Sequence, residues 1–220
     1  ILPQRENLAA LAAGILALVV YTTTMNPTVS FIDSGELAAA AVMLGIPHPT
    51  GYPVFTILGH IAAIVPVGGE AISRLNFTSA LLVSSSVVLF MKLALFAQNA
   101  IVLFPARKLR LSPPLALNSA FVGTLSFAFS TTVWAQSVAV EVYSLHILFL
   151  VLVTFTFLKG MQATVETATV SVHLLLFSFL LGLSFANHMT TILLAPAFIY
   201  LYFTTLRWNR ESLMLLGKLV

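Results

Sequence analysis

The chain lacks cysteine altogether and has few charged residues. Of its 220 residues, 10 are Lys or Arg and 7 are Asp or Glu, so that only 8% are charged, whereas a soluble domain has about 25%. The absence of thiols excludes disulfides and thiolate metal sites. The shortage of charge excludes a surface that faces water over most of the chain. With 59% hydrophobic residues and a mean hydropathy of +1.02, the composition predicts an integral membrane protein.

The basic residues occur singly or in one short cluster, 107–110, beside apolar segments. Basic residues distributed in this way are typical of the loops of membrane proteins and not of surfaces that bind the phosphate backbone of nucleic acids. We therefore expect no nucleic-acid partner. The sequence shows no internal repeat, low-complexity tract or soluble domain, and residues 1–220 are predicted to form one transmembrane domain. Because a new amphipathic stretch begins shortly before Val220, we expect a C-terminal continuation.

Six apolar segments have a length suited to crossing the membrane, for which a helix needs about 20 residues. The first extracytoplasmic loop, 26–70, adds two shorter segments, roughly Gly35–Leu44 and Pro53–Val65, that we expect to form interfacial helices. The predicted fold class is therefore all-α, a polytopic membrane helix bundle of about six transmembrane helices plus these interfacial helices. The predicted spans are Leu8–Met25, Ile72–Phe96, Leu115–Val133, Val138–Leu158, Ala168–Ala186 and Thr190–Leu206.

The distribution of basic residues also predicts the orientation of these segments. With a cytoplasmic N-terminus, nearly every Lys and Arg falls near the cytoplasmic face and only Arg74 falls outside, which follows the positive-inside rule. We therefore expect a multi-pass protein of the bacterial inner membrane, with the loop 26–70 on the extracytoplasmic side. The titratable residues expected on that side are Asp33, Glu36, His48, Glu70, Arg74, Glu141 and His188.

Two carboxylates, Asp33 and Glu36, follow the first predicted span closely. One interpretation is structural: Asp33 caps a short helix, Glu36 completes a capping box, and Gly45 ends the helix. The other is functional, since a carboxylate beside the bilayer is costly and can act as a general base on an acceptor hydroxyl. The two interpretations are compatible, because a capping residue can also be a base.

The turn from His48 to Pro53 is stiffened by its prolines. His48 and Tyr52 either pack within this loop or hydrogen-bond a phosphate or a sugar. Arg74 is either an anchor that reaches the membrane interface or a counter-ion for a lipid-linked phosphate. The sequon at Asn76 lies inside the start of a span, so we expect no glycosylation there.

Glu141 lies at the start of the fourth predicted span, where a carboxylate gains from the helix dipole and is also a functional candidate. His188 lies in a polar turn between the last two spans. The remaining histidines, His60, His146 and His173, are interpreted as packing residues. No spacing of His, Asp and Glu resembles a metal site, so no metal is expected.

Four segments resemble a known family, in the same order and with the same spacing. Together they look like the N-terminal membrane region of a widespread family, long catalogued as a domain of unknown function, whose animal member is a protein O-mannosyltransferase of the endoplasmic reticulum. The resemblance covers most of residues 8–206. The segments are DSGELAAAAVMLGIPHPTGYPVFTILGHIAAIVP (Asp33–Pro66), SRLNFTSALL (Ser73–Leu82), WAQSVAVEVYSLH (Trp134–His146) and GLSFANHMTTILLAPA (Gly182–Ala197).

That family is similar to the GT-C superfamily of multi-spanning glycosyltransferases. The resemblance implies a GT-C-like bundle, a polyprenyl-phosphate-linked sugar as the donor, and an acidic residue in the first extracytoplasmic loop. It places the catalytic base at Asp33, with Glu36 as the second choice. We expect no cofactor besides the lipid-linked sugar that serves as the donor, and the sequence does not indicate a divalent metal. Other polar positions of the four segments are our candidates for binding the substrate or the lipid phosphate, although the resemblance does not assign their individual roles: His48, Tyr52, Arg74, Glu141, Tyr143 and His188.

The resulting hypothesis is a membrane glycosyltransferase that moves a sugar, expected to be mannose, from a polyprenyl phosphate to a hydroxyl group. The expected partners are membrane lipid, the lipid-linked donor and a protein or glycan acceptor at the extracytoplasmic face. The alternative is a non-catalytic GT-C-like subunit of a larger membrane complex. A transporter fits less well, because it needs paired ionisable residues near the bilayer midplane, and here they lie at the faces.

Overall fold

The computed structural model describes residues 4–30, 32–66, 68–100, 111–167 and 171–206, together with 214 and 217. Within these residues the chain has helices and no strand. A helix bonds its backbone groups within its own segment, as a lipid environment requires. The helices are α1 (Gln4–Thr24), α2 (Ser34–Met43), α3 (Pro53–Ile64), α4 (Ala71–Asn99), α5 (Pro113–Ala128), α6 (Thr131–Ser137), α7 (Val142–Thr167), α8 (Val172–Asn187), a 3₁₀ helix (Met189–Leu194) and α9 (Ala195–Leu206).

Four segments of the described chain are long and apolar enough to cross a membrane, namely α1, α4, α7 and the continuous stretch Met189–Leu206. The predicted all-α membrane bundle is thus confirmed. The sequence predicts about six full spans, but fewer helices of the described chain are long enough, because α5 and α8 have only 16 residues each. At 1.5 Å per residue they extend about 24 Å, whereas the hydrocarbon core is about 30 Å thick.

The third predicted span, Leu115–Val133, is wrong at its C-terminal end. Helix α5 ends at Ala128, and Ser130 has an extended backbone (φ −63°, ψ 142°) that separates α5 from α6. An extended residue cannot continue a helix, so the predicted span divides into two helices at the polar residues Ser130, Thr131 and Thr132. The fourth span likewise begins at Val142, later than predicted.

The first loop folds as two short helices, α2 and α3, as predicted for it. Helix α3 begins at Pro53, whose fixed φ suits the first helical position. The two helices touch at Gly59, where an added Cβ would lie 2.9 Å from the Cβ of Ala41. Leu37 and Phe55 belong to a buried cluster that also includes residues of α4 and α7. The loop therefore packs on the bundle.

Helices α1 and α4 pack closely through small residues of α1. Ala10, Ala13 and Ala17 are fully buried, and a Cβ on Gly14 would collide with the side chain of Val88. In lipid, helices associate through close van der Waals contact, and small residues permit that contact. The small face of α1 thus accounts for its position against α4.

Several segments of the chain meet at one end of the bundle, which we call the site end. The Asn26 N–H donates to the Val138 carbonyl at 2.8 Å, which joins the segment after α1 to the segment before α7. The rings of Tyr52 and His188 stack, which brings the first loop to the turn after α8. Helix α7 begins at the site end and α8 ends there, so the two helices are antiparallel. The short helix α8 therefore returns the chain to the site end.

The predicted orientation of the bundle in the membrane stays a prediction. Arg74, the basic residue expected on the opposite face from the others, lies near the start of α4 at the site end. The basic cluster 107–110 and the residues Arg207, Arg210 and Lys218 lie outside the described residues, as does Ala168, the start of the fifth predicted span.

Candidate functional site

A carboxylate–imidazole pair joins α2 to the turn before α3. Glu36 Oε1 accepts a hydrogen bond from the His48 backbone N–H at 2.6 Å, and its Oε2 lies 3.0 Å from His48 Nδ1. The hydrogen bond to the ring lowers the pKa of Glu36 and raises the pKa of His48. The side chains are 47% and 37% exposed, respectively, so the pair is accessible to a ligand.

The predicted capping box at the start of α2 is wrong. Asp33 occupies the N-cap position, but its backbone is helical (φ −86°, ψ −8°) and its side chain makes no capping hydrogen bond. A capping residue usually has an extended backbone that turns its side chain toward the helix N–H groups. Glu36 is bonded to His48 instead, and Leu44 rather than Gly45 takes the left-handed conformation at the helix end (φ 50°, ψ 39°). Neither carboxylate is therefore engaged as a helix cap.

The imidazole of His48 extends the hydrogen bonding to Tyr52. Its Nε2 lies 3.0 Å from the Tyr52 hydroxyl, while its Nδ1 faces Glu36. A carboxylate only accepts, so in the neutral ring the proton lies on Nδ1 and Nε2 accepts from the Tyr52 O–H. Tyr52 is 7% exposed, so the chain of hydrogen bonds leads from an accessible carboxylate to a buried phenol.

Asp33 lies beside this pair. One ligand atom from each of Asp33, Glu36 and His48 lies within 4.8 Å of the others. Residues of these types can bind divalent cations. Exposed acidic groups also commonly lie together without a cation, and the Glu36–His48 hydrogen bonds already account for this arrangement. The expectation that no divalent metal is required stays a prediction.

Glu141 approaches the same group from the side of α7, immediately before that helix begins. Burial, and secondarily the negative charge of Asp33, raise the pKa of Glu141 to about 7, while His48 opposes the shift. A carboxyl group with such a pKa exchanges its proton near neutral pH, which is a property common at functional sites. Asp33 thus lies close to Glu36 and acts on Glu141 through its charge, so the three carboxyl groups belong to one neighbourhood at the site end.

An aromatic stack adjoins these carboxyl groups. The rings of Tyr52 and His188 are parallel with centroids 5.7 Å apart, and the Tyr143 ring centroid lies 5.0 Å from that of His188. Tyr143 is 42% exposed, so part of the stack is accessible. Tyrosine rings combine an apolar body with a hydroxyl group, which suits a ligand with both apolar and polar faces.

Two residues of this site, His146 and Thr190, were not among the candidates from the sequence. The Thr190 hydroxyl lies 2.9 Å from His146 Nε2 and 2.7 Å from His188 Nδ1, so it bridges the two rings. The interpretation of His146 as a packing residue is incomplete, because it is buried but joins this hydrogen-bonded chain. The sequence did contain a signal for His146, because it lies one helical turn after Tyr143. Residues at that spacing share one face of a helix, here α7.

The tautomer of His188 follows from its neighbours. The Thr190 backbone N–H donates to His188 Nδ1 at 3.3 Å, and since an N–H group cannot accept, Nδ1 carries no proton. Burial lowers the pKa of His188, which favours the neutral ring. His188 therefore has its proton on Nε2 and can donate from that atom.

Arg74 is bonded to backbone carbonyls near the end of α3. Its guanidinium donates to the carbonyls of Ala63 and Gly69, the latter at 2.7 Å. Carbonyls at a helix end lack partners within the helix and attract cations. Among the described residues, no hydrogen bond or ion pair joins Arg74 to the Glu36–His48 pair. The predicted residues that the structure does bring together are Asp33, Glu36, His48, Tyr52, Glu141, Tyr143 and His188.

Comparisons with known proteins agree on one family. The family model described as Protein O-mannosyl-transferase TMEM260 N-terminal domain matches residues 33–212. The Protein O-mannosyl-transferase tmem260 of Dictyostelium discoideum is 30% identical over 146 residues, which are 64% of this chain and 16% of that protein. The Protein O-mannosyl-transferase TMEM260 of Mus musculus is 28% identical over 222 residues, which are 99% of this chain and 29% of that protein. No solved structure matches the chain.

The family match begins at Asp33 and contains every site residue predicted from the sequence. The chain spans less than a third of the length of either relative. Both relatives come from eukaryotes, so they give no support to the bacterial inner membrane expected from the sequence.

Proposed function

The chain belongs to the family of the Protein O-mannosyl-transferase TMEM260 N-terminal domain, and on this basis we propose that it forms the membrane part of a mannosyltransferase. The donor is mannose linked to a polyprenyl phosphate, and the acceptor is a hydroxyl group of a protein. The observation that carries the proposal is the neighbourhood of Asp33 with Glu36 and with Glu141 at one end of an apolar bundle. A lipid-linked donor suits this position, because its reactive group lies at the membrane surface.

Asp33 is the base in this proposal. Its carboxylate makes no capping bond to α2, whereas Glu36 is bonded twice to His48. Asp33 takes the proton of the acceptor hydroxyl as the hydroxyl oxygen attacks the anomeric carbon of mannose. The bond from that carbon to the phosphate oxygen breaks, and its electron pair leaves with the lipid phosphate. Attack opposite the leaving group inverts the configuration at the anomeric carbon.

His48 and His188 stabilise the departing phosphate. Glu36 raises the pKa of His48, which favours its cationic form, and His188 has an N–H donor at Nε2 because its Nδ1 accepts from Thr190. Negative charge grows on the phosphate in the transition state, and groups fixed beforehand stabilise that charge most effectively. With a pKa of about 7, Glu141 can be protonated near neutral pH. A neutral Glu141 carboxyl does not repel the negatively charged phosphate.

The substitution Asp33→Asn in the full-length protein tests the proposal. With polyprenyl-phosphate mannose and an acceptor protein supplied, transfer should fall about 10²–10⁴-fold, the usual effect of losing a general base. Glu70→Gln is the matched control, because Glu70 lies in the same loop and makes no capping hydrogen bond.

Near-normal transfer by Asp33→Asn would remove Asp33 from the mechanism and would pass its role to Glu36. If Glu36→Gln is then also active, the carboxylates are not catalytic, and the alternative of a non-catalytic subunit is favoured. Chelation of divalent cations in the same assay tests the expectation that no metal is needed.

A further inference from the structure

Asn76 is fully buried in the second turn of α4, and its carboxamide bonds only to groups outside that helix. Its Nδ2 donates to the carbonyls of Asn26 and Thr28, at 2.8 and 3.2 Å. Its Oδ1 accepts from the Val140 N–H at 2.8 Å. Both N–H groups of Nδ2 and the oxygen Oδ1 of Asn76 thus have hydrogen-bond partners, and these partners lie in two separate segments of the chain. The partners determine which side of the carboxamide carries the nitrogen and which carries the oxygen.

The two segments that Asn76 joins lead directly to the carboxylates of the site. Thr28 lies in the segment that runs from α1 to Asp33, and Val140 immediately precedes Glu141. Apart from the Asn76 bonds, the segments are joined by the backbone hydrogen bond from Asn26 to Val138. Among the described residues, these are the hydrogen bonds that join the two segments directly or through Asn76, so we expect the relative position of the segments to depend on them.

We propose that Asn76 is a positioning residue, whose carboxamide holds the segment leading to Asp33 against the segment ending in Glu141 and so sets the separation of the two carboxylates. The significance of this separation for catalysis rests on the proposed function. The contact itself does not, since it is a property of the folded chain.

An asparagine is specifically suited to this position. Aspartate cannot donate, so its carboxylate would face the carbonyl oxygens of Asn26 and Thr28 without a proton between them. Alanine would leave those carbonyls and the Val140 N–H without their partner. Nδ2 is also the atom to which a glycan would be attached, and Asn76 is 0% exposed, which accords with the expectation that the sequon at Asn76 is not used.

The separation of Asp33 and Glu141 can be measured through the protonation of Glu141. The pKa of Glu141 is about 7 because the residue is buried and lies near Asp33, and His48 is the charged group that opposes the shift. If the segments part, water reaches Glu141 and Asp33 moves away. The pKa of Glu141 then falls from about 7 toward 4.5.

The test is the pH dependence of carbodiimide labelling of Glu141 in the full-length protein, with Glu141→Gln used to assign the labelled peptide. Carbodiimides react with the protonated carboxyl, so the labelling midpoint reports its pKa. In Asn76→Ala the midpoint should fall toward 4.5. Ser86→Ala should leave it unchanged, because Ser86 is equally buried in α4 and its hydroxyl bonds only within that helix. Equal midpoints in the two variants would overturn the proposal.

A covalent tether distinguishes positioning from a general loss of stability. The chain has no cysteine, and the backbone hydrogen bond between Asn26 and Val138 makes these neighbouring positions our choice for an engineered disulfide, which requires Cα atoms within about 7 Å. In the doubly substituted chain, Asn26→Cys with Val138→Cys, adding Asn76→Ala should leave the labelling midpoint near that of the tethered parent. A midpoint that stays lowered, or a tethered chain that no longer folds, would overturn the proposal.

The labelling experiment does not depend on transferase activity. A lowered midpoint in Asn76→Ala, together with no mannose transfer by the unsubstituted protein, would support the positioning role and contradict the proposed function. An unchanged midpoint in Asn76→Ala, together with normal mannose transfer by the unsubstituted protein, would contradict the positioning role and support the proposed function.

Discussion

Tyr52 and His188 stack with their rings parallel, at an interplanar angle of 1° and a centroid separation of 5.7 Å. Tyr52 precedes α3, and His188 follows α8. Tyr52 also contacts His48 of the carboxylate–imidazole pair, and His188 contacts Thr190. The stacked rings therefore connect two hydrogen-bonded chains, and the site is one connected unit.

Substitution of Tyr52 separates its two contacts. Tyr52→Phe keeps the ring on His188 but removes the hydroxyl from His48, so we expect reduced mannose transfer with little change in stability. Tyr52→Ala also removes the buried ring and should cost about 3–5 kcal/mol of unfolding free energy, as large aromatic truncations do. Unfolding in detergent and a transfer assay provide the two measurements. An equal loss of stability in both variants would contradict the importance of the stack.

The Glu36–His48 pair should stabilise the folded chain within a defined pH window. The folded-state pKa of Glu36 is lowered from 4.5, so its contribution is present above 4.5 and is lost as the pH falls through the folded value. The folded-state pKa of His48 is raised from 6.5, so its contribution is present below 6.5 and is lost as the pH rises through the folded value. The coupling is therefore largest between pH 4.5 and 6.5.

A double-mutant cycle measures this coupling. The variants are Glu36→Gln, His48→Gln and the combination, and the free energy of unfolding is measured for each across the pH range. A coupling free energy that is the same at acidic, neutral and alkaline pH would show that the pair does not interact through charge.

Thr190→Val tests whether the bridging hydroxyl orients His188. The two side chains have similar shapes, so the substitution removes only the hydrogen bonds that the hydroxyl makes with His146 and His188. The bond from the Thr190 backbone N–H to His188 remains. A net contribution of about 0.5–1.5 kcal/mol corresponds to a roughly 2–10-fold rise in the KM for the lipid-linked donor. Thr190→Ser retains the hydroxyl and should restore the parental KM. Failure of this rescue would assign the effect to the shape of the turn.

Arg74→Met distinguishes the two interpretations of Arg74. Because the guanidinium bonds the carbonyls of Ala63 and Gly69, we expect a loss of about 1–3 kcal/mol in unfolding free energy and an unchanged donor KM. Lys92→Met, on the same helix, controls for the loss of a positive charge. A raised donor KM with unchanged stability would instead identify Arg74 as a counter-ion of the lipid phosphate.

Hydropathy and turn residues are sufficient to predict the bundle and the two loop helices. Helices α2 and α3 lie within one residue of their predicted limits, Gly35–Leu44 and Pro53–Val65, because proline and glycine bound these short apolar segments. The break between α5 and α6 is different. Ser130, Thr131 and Thr132 interrupt a mostly apolar run without proline, and Ser130 occupies the N-cap position of α6 with an extended backbone. Serine is a common N-cap residue, so the break has a local signal that hydropathy alone does not register.

The site is predictable as a set of residues but not as a set of bonds. Positive-inside arguments place Asp33, Glu36 and His48 on one side of the membrane, whereas local capping rules pair Glu36 with the start of its own helix. In the structure Glu36 bonds a residue 12 positions away, because the packing of α2 against α3 brings the turn to it. The bond between His146 and Thr190 likewise joins segments that no local pattern connects.

The orientation of the bundle is testable because the chain has no native thiol. Thr50→Cys lies in an exposed turn at the site end, and Lys108→Cys lies in the basic cluster that the positive-inside rule assigns to the cytoplasm. A membrane-impermeant maleimide applied from the extracytoplasmic side should therefore label Thr50→Cys alone, and Lys108→Cys should react only after permeabilisation. The opposite labelling pattern would place the site in contact with the cytoplasm, and the lipid-linked donor would then have to come from the cytoplasmic leaflet.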